Sequence, residues 1–326
     1  MMKLLKDADI DPAPLAGKRV AILGYGNQGR AQALNLADSG IDVVVGLRDG
    51  SASQERVAAD GLRSMSIAEA VKGARLAMLL APDETLAALY RLIEPRLARG
   101  AALGFSHGLA IRFQQIVPRP DLDVIMVAPK GPGTALRALY QAGKGMAALY
   151  AVAQDASGSA EALALAYGRA IGCGRAGLMP TSFAEECDAD LFNESAVVWG
   201  AVPELLIAGF DVLVEAGIAE EVAYMECVGE LNLLAELIEA RGIAGMRAAI
   251  SNTAELGAVT GGRRIVDARV RAEMRAILAE IRSGAFAATL ADEAAAGYPL
   301  LGAARSDAAA LPVERARTRL SALLRG

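Results

Sequence analysis

The stretch Arg19-Val20-Ala21-Ile22-Leu23-Gly24-Tyr25-Gly26-Asn27-Gln28-Gly29-Arg30-Ala31-Gln32-Ala33-Leu34 decides the architecture. It opens as a short apolar run, passes through G-x-G-x-x-G and ends in helix-forming residues. In that strand-turn-helix setting the glycines allow a tight turn and the close approach of a pyrophosphate, whose charge meets free N–H groups at the helix start. Gly24, Tyr25, Gly26, Asn27, Gln28 and Gly29 are therefore expected to bind a dinucleotide. A purely structural glycine turn is the plainer alternative, and the flanking strand and helix weigh against it.

Working outward, short β-rich runs alternate with helical patterns as far as Met179, the signature of a parallel sheet with helices on both faces. Strands are expected at 19–23, 42–47, 75–81, 101–105, 123–127, 146–153 and 175–179. After Pro180 the strand signals stop, and 191–216, 220–241 and 267–283 carry long helical periodicity, with Gly217, Gly242, Gly245 and Gly284 as punctuation. The reading is a Rossmann-type α/β domain over 1–181 followed by an all-α domain over 182–326. A helix as long and apolar as 191–216 needs cover on more than one side, and a subunit interface is the simplest cover.

Composition agrees. The 326 residues are 54% hydrophobic but only 4% aromatic, so the core is built from Ala, Leu, Val and Ile, which argues against an aromatic-rich β-sandwich. The 33 basic and 38 acidic residues give a net charge of -5, with no basic run to track a phosphate backbone, so nucleic acid is not expected as a partner. The most apolar stretch, Ala162 to Met179, is interrupted by Arg169 and Arg175, so nothing is expected to resemble the ~20 uncharged residues of a membrane helix. Met1 to Pro14 has no apolar signal core, and Cys173, Cys187 and Cys227 are too few and scattered for a disulfide framework or zinc site. A soluble, cytoplasmic protein is expected.

In a doubly wound sheet the ligand crevice lies at the carboxyl ends of the strands. The second strand ends in Gly46-Leu47-Arg48-Asp49-Gly50-Ser51-Ala52-Ser53. Arg48, Ser51 and Ser53 suit the 2′-phosphate of NADPH, whereas Asp49 could accept from a ribose hydroxyl and is the dissenting residue. The next ends read Pro82-Asp83-Glu84, Ser106-His107-Gly108 and Pro129-Lys130-Gly131, with Gly133 just beyond. An isolated histidine is more often a satisfied structural residue, but the position of His107, the only histidine, beside a nucleotide crevice favours chemistry. Lys130 is held on a stiff segment at the same edge.

In the helical half, Asp190 and Glu194, then Glu226 and Glu230, are spaced i, i+4, which puts each pair on one helix face. Inward-facing carboxylates need partners, and two helices offering oxygen ligands resemble a site for a hard cation, Mg²⁺ or Mn²⁺. Acidic pairs on solvated faces are common, and Glu185, Glu186, Asp188, Glu220 and Glu221 are expected to include such cases.

Together these residues resemble the short-form (class I) ketol-acid reductoisomerases over nearly the whole chain. The resemblance rests on Asp7-Ala8-Asp9, Gly24 to Gly29, Ala31-Gln32-Ala33-Leu34-Asn35-Leu36, Gly46-Leu47-Arg48, Val127 to Gly133 and Gln154 to Gly158. It continues through Asp190-Leu191-Phe192, Ala208-Gly209-Phe210, Glu226-Cys227, Gly245-Met246-Arg247 and Ile250-Ser251. It implies conversion of 2-acetolactate or 2-aceto-2-hydroxybutyrate to 2,3-dihydroxy acids with NADPH, and two Mg²⁺ ions on Asp190, Glu194, Glu226 and Glu230. It also implies a substrate-carboxylate contact at Ser251, active-site roles for His107, Lys130 and Glu230, and a homodimer sharing its sites, with higher assembly open. Departures from the family are Asn27 and Arg30 for Ser and His, Trp199-Gly200-Ala201 for Cys-Gly-Gly, and Gly229 and Asn232 for His and Lys. They put substrate preference in question more than reaction class. A relative redirected to another 2-keto or 2-hydroxy acid, a plain NADP dehydrogenase and a non-catalytic NADP-binding protein are the competing readings.

Overall fold

The computed structural model describes residues 3–325, which divide into two compact units between Cys187 and Asp188. In the first, β1 (Arg19–Leu23), α1 (Asn27–Asp38), β2 (Asp42–Leu47), α2 (Ser53–Ala59), β3 (Arg63–Ser66), α3 (Ile67–Ala70), β4 (Leu76–Leu79), α4 (Leu86–Ile93), β5 (Ala102–Phe105) and α5 (Leu109–Arg112) follow one another. Then come β6 (Asp123–Pro129), α6 (Gly133–Gln141), β7 (Ala148–Gln154), α7 (Ala160–Ala170) and β8 (Leu178–Pro180). The eight strands form one sheet in the order β3-β2-β1-β4-β5-β6-β7-β8. Apolar residues on both faces of β1, β4, β5 and β6 are buried, as a sheet covered by helices on each side requires.

Because β2 lies on one side of β1 and β4 on the other, the strand order reverses between β1 and β4. That reversal opens a crevice at the carboxyl ends of these strands.

The sheet departs from the expected pattern in two places. β3, not anticipated, is a largely exposed edge strand whose Arg63, Ser64 and Ser66 carry no apolar signal. β7 runs antiparallel to β6, with Pro129 opposite Ala148 and Val127 opposite Tyr150, so the sheet is not wholly parallel. The nine-residue α6, about 13 Å long at 1.5 Å per residue, and the loop after it bring the chain back to the end of β6 that it left. β7 therefore starts at that end, beginning with the bond from the Lys130 amide to the Ala147 carbonyl.

The helical half contains α8 (Phe183–Ala196), α9 (Ala201–Glu215), α10 (Glu220–Tyr224), a π-helical turn (Met225–Gly229), α11 (Leu231–Ala249), α12 (Asn252–Ile265), α13 (Ala268–Ser283), α14 (Ala285–Ala295), α15 (Pro299–Ala310) and α16 (Pro312–Arg325). Phe210, Ala223, Val313 and Ala316 form a small core among α9, α10 and α16. The single helix expected over 191–216 is two. The carbonyl of Asn193 takes the amides of both Val197 and Val198, and a Cβ on Gly200 would stand 1.9 Å from the Ser195 carbonyl, so the chain folds back tightly there. The helix expected over 220–241 is likewise divided by the π turn and, past its expected end, kinked at Gly242.

Contrary to the expectation that Ala162 to Met179 is the most apolar stretch, an 18-residue window within Phe183–Glu215 reaches a mean hydropathy of 1.8 and passes, by length and composition only, as apolar enough to cross a membrane. The break at 197–200 and the charges of Glu204 and Asp211 interrupt it. On α11 and α12, Leu231, Leu233, Leu234, Ile238, Ile243 and Leu256 are exposed within the chain.

Candidate functional site

The glycine loop is shaped by contact. A Cβ on Gly24 would meet the Leu80 carbonyl at 2.6 Å and one on Gly29 the Gly24 carbonyl at 2.2 Å, so strand β4 and helix α1 approach the turn as closely as backbone allows. Gly26 alone faces open space within 4 Å. That opening, at the start of α1, is the cradle a phosphate needs, and the residues present fit a dinucleotide. A cleft runs from Gly26, Asn27 and Gln28 past Ala81, Pro82 and Asp83 to Ser106 and His107.

The side chains of the loop are held. Tyr25 is buried, and its hydroxyl donates to Asp60 at 2.8 Å. Arg30 grips the same carboxylate, at the end of α2, with two bonds of 2.6 Å, while its side chain also lines a pocket with Gly26 and Asn27. Asn27 accepts the Gly133 amide at the start of α6. At the end of β2, Arg48 and Asp49 are exposed, Ser51 and Ser53 are half-buried, and the Ser51 hydroxyl accepts the Ser53 amide at 3.3 Å.

The far end of the cleft is organised by Glu186, one of the acids grouped above with the solvated-face cases and not among the expected site residues. Glu186 is 1% exposed. Its Oε1 lies 2.9 Å from the Lys130 ammonium, its Oε2 accepts the Gly108 amide at 2.9 Å and stands 3.1 Å from His107 Nδ1. The first turn of α8 reaches this position because Gly108 has no side chain: a Cβ there would meet the Phe183 carbonyl at 2.2 Å. An edge-to-face contact of Phe105 with Phe183, centroids 6.0 Å apart, seals the joint.

Burial by itself pulls His107 down, but its contacts with Cys187 and Glu186 and the charges of Glu186 and Asp83 outweigh it and raise the imidazole to about 11. Burial pushes Glu186 up, and His107 and Lys130 more than reverse this, leaving it below the usual glutamate range. At neutral pH the cluster is therefore two cations around one carboxylate. The spacing of Glu186, Asp190 and Glu194, one helical turn apiece, was the available signal for Glu186.

The remaining predicted residues lie in the helical unit. Asp190 is half-buried on α8; Glu194, Glu226 and Glu230 are exposed. The π turn begins one residue before Glu226 and ends one before Glu230, a local geometry frequent at functional sites. Their all-carboxylate chemistry fits Mg²⁺. Among the described residues, no gathering of three or more metal-ligating side chains includes Glu226 or Glu230. Ser251 caps α12, its hydroxyl accepting the Ala254 amide at 3.2 Å. The surface acids Glu220 and Glu221 both bond Arg319, and Asp188 bonds Arg282.

A family model described as acetohydroxy acid isomeroreductase, NADPH-binding domain, matches residues 14–177, and one described as ketol-acid reductoisomerase, C-terminal domain, matches residues 183–325. Among solved structures, that of an NADH-preferring ketol-acid reductoisomerase from an uncultured archean is 41% identical, covers 99% of each chain and superposes with a TM-score of 0.95. A semialdehyde dehydrogenase NAD-binding protein from Cupriavidus necator is 19% identical, with 82% of this chain and 99% of that one covered and a TM-score of 0.63. A 1-pyrroline-5-carboxylate reductase from Streptococcus pyogenes is 15% identical over 82% of this chain and 98% of its own, TM-score 0.54. The last two share the fold alone.

Proposed function

The chain belongs to the ketol-acid reductoisomerase family, and from that premise we propose the following chemistry for it. It rearranges 2-acetolactate or 2-aceto-2-hydroxybutyrate by alkyl migration, then reduces the product to the 2,3-dihydroxy acid of branched-chain amino-acid synthesis, with NADPH and two Mg²⁺ or Mn²⁺ ions. The observation that carries the reading is Glu186, which holds both His107 and Lys130 at the end of the dinucleotide cleft and sits one turn before Asp190 on α8.

When bound, the divalent ions supply Lewis acidity toward the substrate's hydroxyl and keto oxygens and the reduced nicotinamide supplies hydride. Asp190, Glu194, Glu226 and Glu230 are assigned to hold the ions. The charged His107 and Lys130 stabilise negative charge developing on substrate oxygen, and Glu186 keeps both oriented, so they need not reorganise during reaction. Glu230 is assigned the proton leaving the substrate hydroxyl, received on its carboxylate. The Ser251 hydroxyl, an acceptor at the helix cap, keeps its own proton to donate to the substrate carboxylate.

Arg48, Ser51 and Ser53 support NADPH, with Pro82, Asp83 and Gly133 completing the cofactor's surroundings; the NADH preference of the 41% identical relative makes this loop the point to test. The exposed apolar side chains of α11 and α12 support a homodimer. Asp190 and Glu194 would come from one subunit and Glu226, Glu230 and Ser251 from its mate, with association of dimers open. A soluble, cytoplasmic enzyme with neither nucleic acid nor membrane as partner completes the reading. Following NADPH oxidation with 2-acetolactate, with and without Mg²⁺, tests it: Mg²⁺-dependent turnover is expected, and metal-independent reduction without rearrangement overturns it.

A further inference from the structure

Behind the cleft, between α1, α7 and the ends of β5 and β6, lies a buried hydrogen-bonded chain built on Gln32, which is 0% exposed although it sits in an Ala/Leu-rich helix. Its Nε2 donates to Gln28 Oε1 and to Ser106 Oγ, both at 3.0 Å. Its Oε1 accepts the Tyr167 hydroxyl at 2.6 Å. Gln28 Nε2 passes the chain on to the Gly131 carbonyl at 2.8 Å, and Ser106 Oγ passes it to the Val127 carbonyl at 3.0 Å.

The direction of every bond is determined. The Gly131 and Val127 carbonyls can only accept, so Gln28 Nε2 and the Ser106 hydroxyl donate to them. Gln28 Oε1 and Ser106 Oγ are then left to accept the Gln32 amide protons, and the Gln32 carbonyl, turned the other way, accepts the Tyr167 hydroxyl. One branch thus joins the glycine loop to the residue after Lys130, and the other reaches the residue before His107. Neither Gln32 nor Tyr167 lines the cleft, so any effect they have on turnover passes through other residues.

We propose that Gln32, oriented by Tyr167, is a positioning residue that sets the Lys130 and His107 segments against the dinucleotide loop and transmits occupancy of that loop to the Lys130–Gly131 segment. The turnover arm of this inference rests on the reductoisomerase reading above. Gln32 and Tyr167 are fully buried, so losing either leaves the other's polar group buried without that partner and loosens the arrangement of the segments Gln32 joins.

The test compares wild type, Gln32→Met and Tyr167→Phe, the latter removing only one hydroxyl and so keeping the inference testable if Gln32→Met fails to fold. Amide hydrogen exchange across 127–131 is measured with and without NADPH, and NADPH affinity and turnover of 2-acetolactate with Mg²⁺ are measured on the same samples. NADPH is expected to slow exchange at 127–131 in wild type and to do so far less in either variant. NADPH affinity should stay within about twofold while kcat falls about tenfold in Gln32→Met, the scale of one buried hydrogen bond. KM for 2-acetolactate should change less than kcat. The double variant should be no slower than Gln32→Met, because the hydroxyl acts only through that amide. Full NADPH protection of 127–131 in Tyr167→Phe, or variant losses that multiply, overturns the inference. Wild type without acetolactate turnover overturns the reductoisomerase reading instead, and the exchange result alone then decides the role of Gln32.

Discussion

Lys130 and Glu186 are 56 positions apart in the chain, yet the ammonium and a carboxylate oxygen lie 2.9 Å apart, with the carboxylate all but sealed from solvent. The same carboxylate stands 3.1 Å from His107. Glu186→Gln leaves both cations facing a neutral amide that returns no charge to either. Turnover is expected to fall about a hundredfold or more, and stability by about 3 kcal/mol at most, since the Lys130 side chain remains one-third exposed. Steady-state kinetics on protein verified as folded by circular dichroism checks this; near-normal kcat would refute the hub role of Glu186.

The pH dependence of stability follows from the same pair. His107 is raised to about 11 from 6.5, so its contribution is complete below 6.5 and is lost as the pH climbs through about 11. Glu186 lies below its ordinary 4.5, so its contribution is complete above 4.5 and is lost as the pH falls through the lowered value. The stability gap between wild type and His107→Gln should therefore be widest from about pH 4.5 to 6.5 and shrink on both sides. Urea unfolding across pH measures it, and a gap that grows above pH 7 contradicts the assignment.

At the end of β2, the triple variant Arg48→Ala, Ser51→Asp, Ser53→Asp removes the groups assigned to the 2′-phosphate and adds repulsion. Each charge-assisted bond is worth about 1.5–3 kcal/mol. The ratio of kcat/KM for NADPH over NADH should exceed one in wild type and fall below one in the variant. Equal use of both cofactors by the unmodified protein would dispose of this reading of the loop.

In the proposed chemistry, alkyl migration would need both substrate oxygens held by metal, whereas reduction of an already rearranged 2-keto acid would need less. Asp190→Asn and Glu230→Gln should each reduce conversion of 2-acetolactate about tenfold more than reduction of 3-hydroxy-3-methyl-2-oxobutyrate. EDTA should separate the two substrates in the same direction. Equal losses on both argue against a special metal role in migration.

A site shared across a two-fold interface predicts complementation. When inactive Asp190→Asn and Glu226→Gln chains are co-expressed, half the dimers are mixed, and each mixed dimer has one composite site with both lesions and one with neither. About a quarter of wild-type activity should return under random pairing. Mixed dimers isolated with two tags that remain as inactive as their parents would place the whole site within one chain.

The sequence by itself determined the features that local chemistry encodes. β1 and β2 appear at the residues expected, because their apolar runs and the glycine turn are contiguous and need no distant partner to be recognised. The change from α/β to helical text near Pro180, and the i, i+4 acid pairs, are legible for the same reason. What only the tertiary structure decided depends on contacts between distant segments. β7 reverses because of where α6 delivers the chain, and β3 is a strand through its pairing with β2, not through its own residues. Glu186 shares its local text with solvated Glu185, and only the packing of α8 on Gly108 removes it from water and gives it two cations. Gln32 reads as one polar residue in a helix until Tyr167, 135 positions away, supplies the donor that orients its amide. A buried polar group must find its partners wherever the fold brings them, and local sequence carries no record of partners that far along the chain.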